Sequence, residues 1–153
     1  MRLLLAFFRR YAMMIGMWLL PFSSLRIMML RMCGVRIGHG CYVGFNVVFD
    51  TNFPELISVG DRVTLSHNVA IYTHTITPVA SRLAGVYQTT GAVTIGQGAW
   101  VCAQSLILPG VEIGADCLIG AGSVVTKSTE SGWLYAGNPA RRIKPIVFEP
   151  GRP

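Results

Sequence analysis

The sequence predicts an all-β solenoid of short parallel strands, with a helical segment before it and a tail after it. Three observations lead there. Residues 95–130 read IGQGAW VCAQSL ILPGVE IGADCL IGAGSV VTKSTE, with an aliphatic residue opening every block of six. The same beat runs earlier through Ile37, Val43 and Phe49, and again through Val59, Leu65 and Ile71. Glycine follows several of these aliphatics (Gly96, Gly114, Gly120), and small or medium residues stand four places after them, at Ala99, Ser105, Val111, Cys117 and Ser123.

A period of six matches neither the helical repeat of about 3.6 nor strand alternation. It suits a flat strand of a few residues followed by a tight corner. Three such units close one triangular turn, with large aliphatics stacked inside and small residues at the corners. The opposing reading, a sandwich with accidental spacing, does not account for six aliphatics in strict register.

Taken in order, residues 1–33 form an amphipathic helical segment, 34–131 the solenoid with an excursion at about 73–92, and 132–153 a turn and tail. The start, MRLLLAFFRRYAMMIGMWLLPFSSLRIMMLRMCG, lacks a convincing small-residue cleavage site and is interrupted by arginines, so it does not read as an export signal. Its longest uncharged run, Tyr11 to Leu25, is 15 residues and contains Pro21, short of the roughly 20 needed for a span. It reads as two short helices meeting at Pro21–Ser24, either packed on the next domain or lying in a membrane interface.

Composition bears on that choice. Net charge is +6 and mean hydropathy +0.50, high enough that partner subunits or lipid are expected to cover part of the surface. Every charge before Asp50 is an arginine: Arg2, Arg9, Arg10, Arg26, Arg31 and Arg36. A basic, apolar amino-terminal segment points to an anionic membrane surface rather than nucleic acid, through residues 1–30 and at the inner face of the cytoplasmic membrane. Cys33, Cys41, Cys102 and Cys117 show no CxxC spacing or disulfide framework, which indicates a reducing compartment.

The beat lapses between Ile71 and Ile95, in YTHTITPVASRLAGVYQTTGAV, where Pro78, Gly85 and Gly91 mark an excursion. A long loop on a rigid scaffold is usually functional.

The repeats, together with GAWVCAQSLILPGVEIG, IGAGSVVTK (119–127) and AGNPARRIK (136–144), resemble the hexapeptide-repeat acyltransferases over roughly Gly34 to Lys144, and among them the sugar and polysaccharide O-acetyltransferases. The resemblance implies a left-handed parallel β-helix, an exception to the usual right-handed crossover. It also implies a homotrimer that transfers acetyl from acetyl-CoA, without a metal, to a sugar hydroxyl of an envelope saccharide. In that family a histidine near the root of the excursion is the general base, because imidazole is well matched to removing an alcohol proton near neutrality. The sugar-acetylating branch places it where this chain has Ile76; other relatives carry a THD-like element whose histidine falls at His74, which is taken as the base. His67 is the second candidate, and Asp50, Asn52 and His67 are the acceptor-side positions. Asp50 and Asn52 otherwise read as turn residues.

On the donor side the resemblance implies Trp100 beside the pantetheine arm and Ala103 and Ala121 where backbone amides approach it. Thr126, Lys127, Arg141 and Lys144 would serve the adenosine phosphates, beyond a tight reversal at Gly137 and Pro139. Cys102 replaces a usual glycine and reads as filler. Two other readings stand beside this one. The first is a catalytically silent binding or scaffold subunit, consistent with Ile76. The second is a metal-dependent hydratase like the gamma-type carbonic anhydrases, which needs a three-histidine spacing that His39, His67 and His74 do not show convincingly.

Overall fold

The structure, a computed structural model, describes residues 2–76, 82, 86 and 89–148. Pro78 and Gly85 of the expected excursion, and residues 149–153 of the expected tail, lie outside the described residues. Two helices come first, α1 (Arg2–Leu19) and α2 (Ser23–Met32), with Pro21 between them. The chain then enters strands of two or three residues: β1 (Arg36–Ile37), β2 (Tyr42–Val43), β3 (Val48–Phe49), β4 (Ile57–Val59), β5 (Thr64–Leu65) and β6 (Ala70–Ile71). After the excursion come β7 (Val93–Ile95), β8 (Trp100–Val101), β9 (Leu106–Ile107), β10 (Glu112–Ile113), β11 (Leu118–Ile119) and β12 (Val124–Val125). Two longer strands close the order, β13 (Trp133–Gly137) and β14 (Ala140–Pro145).

Every third strand joins the same sheet: β1-β4-β7-β10, β2-β5-β8-β11 and β3-β6-β9-β12, all paired in parallel. The chain therefore winds round three sides in turn. Strands this short hold because each backbone group pairs with the next coil, as when the Tyr42 N–H donates to Val63 O at 2.9 Å and the Thr64 N–H to Ala99 O at 2.9 Å. The sixth-position residues form three internal files. One is Ile37, Val59, Ile95 and Ile113, another Val43, Leu65, Val101 and Ile119, and the third Phe49, Ile71, Ile107 and Val125. All are buried.

Two local rules keep the coils flat. Corner residues take a left-handed backbone, with φ of 69° at Gly98, 61° at Gln104, 78° at Gly110, 52° at Asp116 and 68° at Gly122, one per hexad. The glycine after the aliphatic is a matter of clearance: a Cβ on Gly96 would stand 2.5 Å from the backbone nitrogen of Ala115 in the next coil. The small residues four places on, Ala99, Ser105, Val111, Cys117 and Ser123, are all buried at the corners.

The helices cover the first coil's open edge. Arg26 is only 1% exposed and has no carboxylate partner among the described residues. Its Nε and Nη2 donate to Val43 O at 3.0 and 2.8 Å, its Nη1 to Leu20 O at 2.5 Å, and its guanidinium lies 4.2 Å over the Phe45 ring. Arg31 donates to Ile37 O at 3.0 Å and Gly38 O at 2.6 Å, while Ser23 Oγ accepts from the Val43 N–H at 2.8 Å. Arg26 and Arg31 are thus engaged with backbone carbonyls, and Arg9 sits 4.0 Å from Glu55. This takes part of the basic charge that the sequence reading assigned to an anionic surface. Among the described residues no helix is long and apolar enough to cross a membrane.

At the far end the structure is richer than the turn and tail read from the sequence. β13 runs parallel to β11, setting Tyr135 over Ile119, and reverses through Asn138 and Pro139 into antiparallel β14. The Asn138–Pro139 peptide is cis.

Removing the Ile107 side chain to Ala should destabilise the protein by about 2–5 kcal/mol, because the rigid coils on either side cannot collapse into the space. Val48→Ala, on an outward-facing position of β3 that is 39% exposed, should cost far less. Denaturant unfolding of the two variants checks this.

Candidate active site

Coil register builds the site. The first coil is longer than three hexads because a 3-10 turn at Pro54–Leu56 is inserted at its corner, so Val48 lies over Ala70 and Phe49 over Ile71. Asn52 and His74 share this 22-residue offset and meet, with Asn52 Nδ2 2.9 Å from His74 Nε2. The excursion leaves from here: His74 bridges Thr90, and the Gly91 N–H donates to Thr73 O at 2.8 Å, closing the loop's root.

Asp50 lies beneath, 3% exposed. Its Oδ2 accepts from the Thr73 N–H at 3.0 Å and the Thr73 hydroxyl at 2.8 Å, and faces His74 Nδ1 at 2.5 Å. Its Oδ1 accepts from the Asn52 N–H at 2.9 Å. Burial pushes the carboxyl upward, but the hydrogen bonds from His74, Thr73 and the backbone outweigh it and hold Asp50 below the ordinary carboxylate range. An ionised carboxylate only accepts, so the proton between the two groups belongs to Nδ1. Nε2 is then a lone pair, and the Asn52 amide donates to it. The result is an imidazole fixed in orientation and tautomer, 16% exposed, with the Phe53 ring edge-on at 5.4 Å.

Of the acceptor-side positions, the fold brings His74, Asp50 and Asn52 together and leaves His67 apart. His67 Nδ1 accepts from the Phe45 N–H at 2.8 Å, and its ring stacks on Phe45 with centroids 5.7 Å apart. His39 is exposed and contacts Asp61. Among the described residues no three His, Cys, Asp or Glu side chains converge on a metal-sized site.

The donor-side positions run along other coils. Trp100 on β8 is 48% exposed and donates to Ser66 Oγ at 3.2 Å. Ala103 and Ala121 lie one coil apart, Ala103 O accepting from the Gly122 N–H at 2.9 Å. Thr126 and Lys127 follow β12 and are exposed, as are Arg141 and Lys144 on β14. None of these three cations pairs with a carboxylate among the described residues, whereas Arg142 is held by Glu130 at 2.9 Å and lies 4.4 Å over Trp133.

Sequence reading missed Thr73, which anchors Asp50, and missed the contribution of α1. Arg9 Nη2 reaches Asn52 O at 3.5 Å, and Met13, Met17 and Trp18 form a wall of the cavity, about 360 Å³, that Asp50, Asn52 and His74 also line. The Asp50–Thr73 pairing carried no periodic signal; the place of α1 carried none either.

Known proteins share this pattern. The profile described as bacterial transferase hexapeptide (six repeats) matches residues 92–127, and the hexapeptide repeat of succinyl-transferase matches residues 34–73. The chain belongs to the hexapeptide-repeat family. Within that family it is 32% identical over 114 residues to the galactoside O-acetyltransferase of Escherichia coli (strain K12), covering 73% of this chain and 54% of the relative. To the galactoside O-acetyltransferase of Lactococcus lactis subsp. lactis (strain IL1403) it is 37% identical over 122 residues, covering 75% and 56%. The chain thus spans little more than half the length of these curated relatives. The crystal structure of a maltose O-acetyltransferase from Clostridium difficile 630 superposes with a TM-score of 0.62 at 28% identity, over 92% of this chain and 87% of that one.

The depressed Asp50 carboxyl has a pH consequence. Its stabilisation is fully present above about pH 4, the unfolded-state value, and is lost as the pH falls through the lower folded-state value. The unfolding free energy of the native protein should therefore fall toward that of Asp50→Asn in strong acid, while the gap stays constant above about pH 5. Denaturant titrations of both proteins across this range check the trend.

Proposed function

We propose that this chain is an acetyl-CoA-dependent O-acetyltransferase that acylates a hydroxyl of an envelope saccharide. The observation that carries the reading is His74 held between Asp50 and Asn52 at the root of the excursion, in a hexapeptide-repeat protein whose relatives are galactoside and maltose O-acetyltransferases. On this reading residues 1–33 are a helical segment, 34–131 a left-handed β-helix and 132–153 its closing turn and tail, and the chain assembles as a homotrimer with its substrates in the grooves between subunits.

In the reaction, the acceptor hydroxyl takes the place of the Asn52 amide on Nε2. As its oxygen bonds to the thioester carbon, His74 takes the proton, and Asp50 stabilises the imidazolium through Nδ1–H. The displaced Asn52 amide stays beside the reacting centre, where a donor can meet the negative oxygen of the tetrahedral intermediate. Collapse breaks the carbon–sulfur bond, and the leaving thiolate recovers the proton from His74. Asp50 is spoken for by its four hydrogen bonds, so it is a positioning residue rather than an acceptor contact; His67 is a packing partner of Phe45. Trp100, Ala103 and Ala121 flank the pantetheine arm, while Thr126, Lys127, Arg141 and Lys144 take the phosphates, a role supported by three cations that pair with no carboxylate among the described residues.

His74→Ala should lower thiol release from acetyl-CoA by about 10²–10⁴-fold. It also removes one donor from buried Asp50 and lowers the unfolding midpoint, so turnover is measured at a temperature where circular dichroism shows the variant folded. Full turnover in His74→Ala, with loss in His67→Ala, would transfer the role to His67.

The exposed side of α1, with Phe7, Phe8, Ile15 and Leu19 each at least 50% exposed and Arg10 among them, supports peripheral contact with the inner face of a membrane. Because α2 belongs to the core, the test uses point changes. Phe7→Ser/Phe8→Ser should reduce flotation with anionic liposomes several-fold without altering the unfolding midpoint; unchanged flotation would remove the membrane assignment.

A further inference from the structure

The cavity at His74 combines polar residues of the first two coils with an apolar wall from α1. Asp50, Asn52 and His74 stand together among these, Asp50 already accepting from four donors, and Asn46 Nδ2 donates to Asn68 Oδ1 at 2.8 Å. Thr51 and Tyr72 also line it, while the wall formed by α1 is thioether and indole. Met13 and Met17 of α1 form the inner wall at 2% and 4% exposure, Phe49 and Leu30 lie behind them, and Met14 and Trp18, 62% and 70% exposed, make the lip. A free hexose carries hydroxyls on every side, and those turned toward Met13, Met14 and Met17 would meet groups that offer no strong hydrogen bond. An amphiphile fits the arrangement: one hydroxyl at His74 and a hydrocarbon body along α1, where unbranched methionines adapt to chain shape.

Resting on the acetyl-transfer reading above, we propose that the acceptor is amphiphilic, a hydroxyl-bearing head joined to a hydrocarbon chain that lies along Met13 and Met17 and leaves over Met14 and Trp18. The chain is assigned to the acceptor because the cavity runs on from His74 and Asn52, where the acceptor hydroxyl is seated, to the α1 wall. Its exit over Met14 and Trp18 is also continuous with the exposed apolar side of α1, so a lipid-linked head could enter without its chain crossing water.

Binding separates this from the catalytic reading. Calorimetric titration of the full chain with monomeric octyl β-glucoside and with methyl β-glucoside should show the octyl compound at least tenfold tighter, at one site per chain. Met14→Glu, a charge on the exposed lip, should remove most of that advantage, and Met28→Glu, also exposed but on α2 and not lining the cavity, should keep it. Equal affinity for the two glucosides, or equal effects of the two glutamates, would overturn the proposal and leave the wall as packing surface for a second copy. An octanoyl-CoA advantage over acetyl-CoA that Met14→Glu abolishes would overturn it too, giving the chain to the donor. The acetyl-transfer reading fails separately, if acetyl-CoA neither binds nor releases thiol with any alcohol while octyl β-glucoside still binds.

Discussion

Everything in this molecule depends on the backbone hydrogen bonds between successive coils. They run from one two-residue strand to the next and allow little lateral slip, because a one-residue shift would turn every inward aliphatic outward. Coil length can vary only at the corners. The register from β7 to β10 is three hexads, from β4 to β7 six, and from β1 to β4 three hexads with an insert. The strands stay in line across all three spacings. Insertion at a corner is therefore the one freedom this scaffold has, and both insertions fall at the His74 cluster.

That placement explains the site's rigidity. Asp50 follows directly on β3, and His74, three places beyond β6, bridges Thr90, so their backbones are held by pairing and their side chains by each other. Thr73 gives Asp50 two donors from one residue, one from the backbone and one from the hydroxyl. Asn52 belongs to the same network through its own N–H. The carboxylate at the centre organises four groups at once while exposing almost nothing to water.

Much of this was legible in the residues. The hexad beat predicted the strands, the internal files and the crowded glycines, because each follows from repetition at a fixed period. The Asn52–His74 contact was legible too. Val43 and Leu65 are 22 residues apart, as are Phe49 and Ile71, and the same step carries Asn52 onto His74. The terminal hairpin was not, because Tyr135 takes the inward position off the beat. Nor was the use of the arginines. A charge beside aliphatics in a sequence suggests a surface, and nothing local announces that Arg26 will be buried against carbonyls.

Arg26 and Arg31 also bear on how the molecule stays finite. A coil of parallel strands ends in a row of unpaired carbonyls and amides, the same template that each internal coil offers to the next. Left bare, that row would accept a strand from another molecule, and repetition would yield a fibre. Guanidinium groups from α2 occupy the carbonyls of Ile37, Gly38 and Val43, and Ser23 takes the Val43 amide. The helical segment therefore serves as an end-stop, and its arginines guard against polymerisation as much as they hold the helix in place.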